Sequence, residues 1–153
     1  AVRMVRSRAA EWNIDQERIG VMGSSAGGHL SARVSTGYDT PSYKAVDELD
    51  GASCKPNFTV LLCPAYMNKG KALAKEFTVT DKLSPTLIVT CKDDGFFIGS
   101  EVYAKALEEA GAPVRTHFFE KGGHGIKIRG EKYPLSTWPE LYLQWLRDIT
   151  IIE

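Results

Sequence analysis

Apolar residues recur at helical spacing over the first twelve positions. Val2, Val5, Ala9 and Trp12 fall on one face, while three arginines fall elsewhere. This pattern predicts an amphipathic helix over residues 2–12 whose arginines form a solvated face.

A short strand, a tight turn and a second helix are predicted next. Residues 18–23 (RIGVMG) have the composition of a strand, which leads through SSAGG into the helical segment HLSARVS. Residues 37–57 are rich in Asp, Pro, Ser, Tyr and Lys without a sustained period, which predicts a long surface connection.

Two continuous apolar runs are typical of strands buried on both faces of a parallel sheet. They are FTVLLC at residues 58–63 and TLIVTC at residues 86–91. Residues 66–84 between them are too polar for another core layer, so we expect an excursion over the sheet.

The last third of the chain continues the alternation of helices and strands. It predicts a helix from about Ser100 to Gly111, a strand from Val114 to Phe119, and a final helix after Thr137 with an apolar stripe on one face. The expected fold is α/β with a mainly parallel sheet, and 153 residues suit one domain, 1–153.

Composition excludes several classes of function. Lys plus Arg number 19 and Asp plus Glu number 19, so no basic surplus favours nucleic acid. No apolar run approaches the roughly 20 residues that span a membrane. The first residues lack the apolar core of an export signal, although export of a longer precursor stays open. The three cysteines predict no disulfide scaffold and no metal knuckle.

Residues 23–27 (GSSAG) match the GxSxG nucleophile elbow, in a strand-to-helix context that the motif requires. The strained turn lifts the central serine above the sheet, which makes Ser25 the candidate nucleophile. Its neighbour Ala26 opens a helix, so the Ala26 N–H is a candidate oxyanion donor.

The serine needs a base, and the chain offers three histidines. His29 lies one helical turn past Ser25, where burial or capping is more common than catalysis, and His117 falls inside a predicted strand. His124 lies in the glycine-rich loop KGGHG after the last strand, so it is the best candidate base.

An acid should orient the imidazole. Asp93 and Asp94 both follow the strand that ends at Cys91, at the carboxyl edge of the sheet, and either fits the role. The order Ser, Asp, His is that of the α/β-hydrolase triad. Such a triad forms an acyl-enzyme on the serine, which water then hydrolyses.

The segments ERIGVMGSSAGGHLSA, TCKDD, EKGGHG and STWPELYLQWL together resemble α/β-hydrolase esterases of the acetyl-xylan-esterase and carbohydrate-esterase type. The resemblance spans nearly the whole chain. It implies that Asp94 is the triad acid, with Asp93 in reserve, and that the substrate is a small ester or an acetylated carbohydrate such as acetyl xylan. Glycosidase chemistry is not indicated, because no second, opposed acid has comparable placement.

The sequence indicates no cofactor and does not determine which residues line the substrate pocket. The sequence has no metal cluster, phosphate loop or dinucleotide fingerprint, and the hydrolase mechanism requires none. Five aromatic residues are pocket candidates, although ordinary packing is the commoner role for each: Tyr38, Tyr66, Phe96, Phe97 and Trp138.

The resemblance also implies a missing part. A second oxyanion donor comes from an HGGG-type loop upstream of the elbow, together with early strands, and nothing precedes the first helix here. We therefore expect a C-terminal portion of a longer hydrolase whose elbow strand exposes an apolar edge. That edge predicts an oligomer or pairing with an N-terminal segment.

Two alternatives to an active esterase remain. The chain is either catalytically silent without a further segment or partner chain, or it is a serine peptidase or amidase of the prolyl-oligopeptidase-like type, which shares the elbow and the triad order.

Overall fold

A computed structural model describes residues 1–125 and 134–153. Its helices and strands, in chain order, are α1 (Val2–Ser7), β1 (Val21–Ser24), α2 (Ala26–Thr36), β2 (Thr59–Leu62), β3 (Asn68–Lys69), β4 (Ala72–Leu73), β5 (Thr86–Cys91), α3 (Phe97–Glu109), β6 (Val114–Phe119) and α4 (Trp138–Asp148). Short 3-10 turns cover Gln16–Arg18, Glu48–Gly51 and Pro134–Thr137.

The main sheet has four strands in the order β1-β2-β5-β6, and every pairing is parallel. Because the strands are parallel, their carboxyl ends share one edge of the sheet, where open α/β folds place their sites. The segments that contain the four candidate residues Ser25, Ala26, Asp94 and His124 all follow strands at this edge. The α/β architecture predicted from the sequence is confirmed.

Both faces of the sheet are buried. Alternating residues of β2 and β5 point to opposite sides, as the period of a strand requires. One side packs with α2 and α3 through Ala32, Leu61, Ile88, Tyr103 and Leu107. The other side packs with α4 through Val60, Leu62, Leu87, Val89, Trp145 and Leu146. The sheet is therefore the middle of three layers.

Residues 66–84 contribute more to the core than their polarity predicts. The segment contains the two-residue strands β3 and β4, which pair antiparallel. Four of its side chains are buried in the α3 side of the core: Met67, Ala74, Phe77 and Leu83. The sequence predicts an excursion over the sheet and no further core layer; the core side chains of this segment were not predictable, because single apolar residues in polar surroundings insert without any period.

Two helix boundaries also differ from the prediction. Helix α1 ends at Ser7 rather than residue 12, and none of its side chains is buried, so little tertiary packing extends it. Helix α3 begins at Phe97, before Ser100, because Asp94 binds the first amides: its carbonyl accepts from Phe97 N–H at 3.0 Å and its carboxylate from Phe96 N–H at 2.9 Å.

The elbow strand β1 has a strand neighbour on one side only within the described residues. Beside it runs a groove of about 880 Å³, lined largely by apolar side chains that include Val5, Met22, Leu30 and Val46. This groove does not include Ser25 or His124. An open apolar edge at β1 matches the expectation from the sequence.

Among the described helices, none combines the length and the apolar character that crossing a membrane requires.

Candidate active site

Ser25 occupies a strained turn between β1 and α2. Its φ of 55° and ψ of −121° lie outside the ordinary regions for a residue with a side chain. The backbone is fixed on both sides: Ser25 N–H donates to Leu62 O at 3.0 Å, and Ser25 O accepts from His29 N–H and Ala65 N–H. The turn is therefore anchored to β2 and to the segment that follows it.

Two of the glycines around the turn are required by space. A Cβ on Gly23 would lie 2.0 Å from Gly27 O, and one on Gly28 would lie 2.9 Å from Pro64 Cβ. A Cβ on Gly27, the last residue of the GxSxG motif, would meet nothing within 4 Å. Close approach of β1 to α2 thus explains Gly23, and close approach of α2 to Pro64 after β2 explains Gly28, but neither explains Gly27.

The structure brings Ser25, His124 and Asp94 into one chain of contacts. Ser25 Oγ lies 2.8 Å from His124 Nε2, and His124 Nδ1 lies 3.0 and 2.9 Å from the two carboxylate oxygens of Asp94. A carboxylate only accepts, so its contact assigns the imidazole proton to Nδ1 and leaves the Nε2 lone pair facing the serine hydroxyl. This arrangement can transfer the serine proton to the imidazole.

Asp94 is held in place by several neighbours. Its side chain is 0% exposed. Besides His124 and Phe96 N–H, it accepts from Thr90 Oγ1 at 3.4 Å. The buried Cys63 thiol lies close enough that the Asp94 charge adds to the main effect, burial, in raising the pKa of Cys63. The acid is therefore fixed, dry and pointed at the imidazole.

Asp93 faces the loop of the histidine instead of its ring. Its carboxylate accepts from Gly122 N–H at 3.0 Å and from Gly123 N–H at 2.8 Å. The hydrogen bond from Gly123 is the main reason why the pKa of Asp93 lies below its ordinary value. The two carboxylates that the sequence left as alternatives therefore have different partners: Asp94 contacts the imidazole, and Asp93 contacts the loop. The sequence did not reveal the Asp93 contact, because its partners are backbone amides.

The other two histidines lie apart from the serine hydroxyl. His29 Nε2 is 3.2 Å from Glu76 Oε1, and its ring packs edge-on against Phe77. His117 lies on β6, where burial lowers its pKa.

The two cysteines in apolar runs are buried, as expected of core residues. Cys63 and Cys91 are free thiols, and burial raises the pKa of Cys91 to about 11. Neither has the electropositive surroundings of a reactive thiolate.

Ala26 is the first residue of α2, directly after Ser25. The first amides of a helix have no partner within it and carry the positive end of its dipole. An anion that develops on an atom bound to Ser25 would therefore be stabilised by the Ala26 N–H.

Of the five aromatic pocket candidates, two lie at the site. Phe96 packs against His124 with ring centroids 5.0 Å apart, and Tyr66 packs edge-on against Phe96 at 5.2 Å. The other three pack elsewhere: Tyr38 under Lys55, Phe97 against Phe118 on β6, and Trp138 in the core at the start of α4.

Known proteins with a similar sequence or fold include esterases. The family model BD-FAE matches residues 1–63. An acetylxylan esterase of Xylanibacter ruminicola is 26% identical over 174 residues, which cover 96% of this chain and 32% of that protein.

Solved structures agree with these matches. An acetyl ester-xyloside bifunctional hydrolase from Caldicellulosiruptor lactoaceticus superposes with a TM-score of 0.85 at 29% identity, covering 99% of this chain and 64% of that one. Thermogutta terrifontis esterase 2 phosphoramylated by tabun gives a TM-score of 0.82 at 26% identity, with coverages of 99% and 62%.

This chain spans about a third of the length of the acetylxylan esterase and just under two thirds of both solved chains. Throughout that span the parallel sheet and the relatives agree with the resemblance found in the sequence. The chain therefore has the fold of the α/β-hydrolases, and the proteins it is similar to include esterases.

Proposed function

We propose that the chain carries the reacting groups of a serine carboxylic-ester hydrolase for short acyl groups, and that acetyl groups on a plant polysaccharide such as acetyl xylan are its substrates. The observation that carries the proposal is the continuous contact from Asp94 through His124 to Ser25 Oγ at the strained elbow. The acetylxylan esterase relative supports the acetyl and xylan part.

In the proposed reaction His124 Nε2 takes the proton of Ser25 Oγ while Oγ bonds to the ester carbon. The carbonyl electrons move onto the oxygen, which the Ala26 N–H stabilises. Collapse breaks the bond to the alcohol oxygen, and Nε2 returns its proton to that oxygen. Water then repeats both steps on the acyl-enzyme, which releases the acid and restores Ser25. Asp94 keeps the Nδ1 proton in place throughout.

The test combines covalent labelling with turnover. A fluorophosphonate probe should label Ser25, and p-nitrophenyl acetate and acetylated xylan should release acetate. Ser25→Ala should abolish both signals. Ser24→Ala is the matched control, because Ser24 is the neighbouring exposed serine at the end of β1 and should leave labelling within about threefold. Retained labelling in Ser25→Ala would reject the nucleophile.

The open edge of β1 favours a second candidate, a chain that is silent until another segment or chain completes it. Hydrolases of this fold use a second oxyanion donor from a loop upstream of the elbow. Loss of one donor costs roughly a hundred- to a thousandfold in turnover. Absence of both labelling and acetate release would support this candidate, whereas cleavage of p-nitroacetanilide in preference to esters would support the amidase alternative.

A further inference from the structure

Three aromatic rings connect the candidate base to the surface. Phe96 packs on His124, Tyr66 packs edge-on against Phe96, and the His29 ring lies edge-on to Tyr66 with ring centroids 6.4 Å apart. Phe96 follows β5, Tyr66 follows β2, and His29 lies on α2, so three elements place their rings at the same end of the sheet.

Tyr66 is held outward in this group. It is 60% exposed, whereas its neighbours Ala65 and Met67 are both 0% exposed. Its φ of 59° is left-handed, a conformation that residues with side chains rarely adopt. The hydrogen bond from Ala65 N–H to Ser25 O at 3.1 Å attaches this segment to the elbow. Core packing does not account for an aromatic ring fixed in solvent beside a reacting group.

We propose that Tyr66 and Phe96 form the subsite for the leaving alcohol of the ester, and that this subsite selects alcohols with a six-membered ring that has an apolar face. The ring is either a pyranose or an aryl group. Aromatic side chains offer a rigid, apolar surface for such a face, while the polar edges of the bound ring stay in water.

The position of Phe96 and Tyr66 relative to His124 indicates that they bind the alcohol part of the ester. In the proposed function, on which this subsite rests, His124 Nε2 gives its proton to the leaving oxygen. The body of the alcohol must then lie beside the imidazole, where Phe96 packs on the His124 ring and Tyr66 packs against Phe96. The acyl group, bonded to Ser25 Oγ, points away from the leaving oxygen.

The variants separate the ring of Tyr66 from its backbone. Tyr66→Gly removes the ring and accepts the left-handed φ without strain, so the loop keeps its shape. Tyr66→Phe keeps the ring and loses only the hydroxyl. Tyr43→Ala is the matched control, because Tyr43 is another exposed tyrosine, bonded to Arg3 and Asp50 beside the groove at β1.

Binding of the alcohol is measured without turnover. The ¹⁵N-labelled chain is titrated with methyl β-D-xylopyranoside, benzyl alcohol and ethanol, and amide shifts are followed by NMR. A ring alcohol should shift the amides of Tyr66 and Phe96 at least fivefold more strongly than ethanol does at equal concentration. Tyr66→Gly should raise its apparent Kd at least fivefold, whereas Tyr66→Phe and Tyr43→Ala should stay within twofold of the original chain.

The outcomes distinguish the two sources and the two proposals. Tighter binding of the xyloside assigns carbohydrate esters, and tighter binding of benzyl alcohol assigns aryl esters. Equal shifts with ethanol, or an unchanged Kd in Tyr66→Gly, would overturn the subsite. If Ser25 is still labelled by the fluorophosphonate in that case, the hydrolase function stands and the subsite alone fails. If neither labelling of Ser25 nor selective binding of ring alcohols is found, both the hydrolase function and the subsite are rejected.

Discussion

Asp93 and Asp94 are neighbours in the chain, yet their carboxylates bind different parts of the site. Asp94 is buried against the imidazole of His124, whereas Asp93 accepts from the amides of Gly122 and Gly123 in the loop that leads to it. Successive residues after a strand point in different directions, so one turn supplies two supports for the same histidine. One fixes its tautomer, and the other fixes its backbone.

The first prediction compares the amide variants of these two residues. Asp94→Asn should lower the rate of fluorophosphonate labelling at Ser25 by roughly a thousandfold or more, because an amide at this position favours the wrong imidazole tautomer. Asp93→Asn should lower it by about tenfold, because the amide oxygen still accepts one loop hydrogen bond. Time-resolved mass spectrometry of the labelled chain measures both rates, and a larger loss in Asp93→Asn would reverse the assignment.

The second prediction concerns pH. The pKa of Asp93 is lowered in the folded chain, so its contribution to stability is full above its ordinary value of 3.8 and is lost as the pH falls through the lowered value. The Tm difference between the original chain and Asp93→Asn should therefore be largest near pH 7 and shrink below about pH 4. Thermal unfolding at pH 7, 5, 4 and 3 measures it. A difference that grows on acidification would contradict the loop contact.

Sequence patterns singled out Ser25, His124 and the pair Asp93 and Asp94 as candidates, because each lies in a short segment next to a motif or a strand end. The family resemblance then favoured Asp94. The contact of Asp93 was not predictable, because its partners are backbone amides that every residue carries. The different spatial requirements of Gly23 and Gly27 were not predictable for a related reason. A motif records which residues occur, whereas the space that demands a glycine depends on which backbone lies opposite, here Gly27 O opposite Gly23.

At the scale of elements, continuous apolar runs were the most informative signal. Strands β5 and β6 have the predicted bounds. Strand β5 is buried along its whole length, and β6 is flanked by clear turn residues. The predictions for helix α1 and for the segment 66–84 were less complete. Their boundaries and burial depend on contacts with distant parts of the chain, which local periodicity does not contain.

The contact between β1 and α2 leads to a third prediction. Gly23→Ala places a methyl group on the backbone of α2, which cannot move without opening the elbow. We expect a loss of about 2 kcal/mol or more in the free energy of unfolding, typical of an overpacked site, and slower labelling of Ser25.

Gly27→Ala is the matched control for that substitution, in the same motif. Its methyl group enters open space near the start of α2. The free energy of unfolding should therefore change by no more than about 1 kcal/mol, and the alanine variant should be the more stable of the two. Urea unfolding measures both variants. Equal destabilisation by the two substitutions would show that the motif, and not the close approach, determines the glycines.

At the scale of the whole molecule, the described sheet is asymmetric. Strands β1 and β6 are its two edges, and β1 carries Met22, which is 43% exposed beside an apolar groove. Val21 N–H and Ser25 N–H bond to the β2 side. Because alternate residues of a parallel strand bond to the same neighbour, the amides of Met22 and Ser24 point away from β2. Exposed apolar edges of this kind pair with further strands.

We therefore expect copies of this chain to associate through β1. The weight-average mass in sedimentation equilibrium should rise above 16.9 kDa with concentration, and Met22→Lys should return it toward the single chain by placing a charge at the edge. Leu143→Lys, which charges an exposed leucine on α4, is the matched control and should leave association unchanged. Hydrogen exchange adds a residue-level signature: on dilution the amides of Met22 and Ser24 should exchange faster than Val21. A mass of 16.9 kDa at all concentrations, with slow exchange at Met22 and Ser24, would contradict pairing between copies.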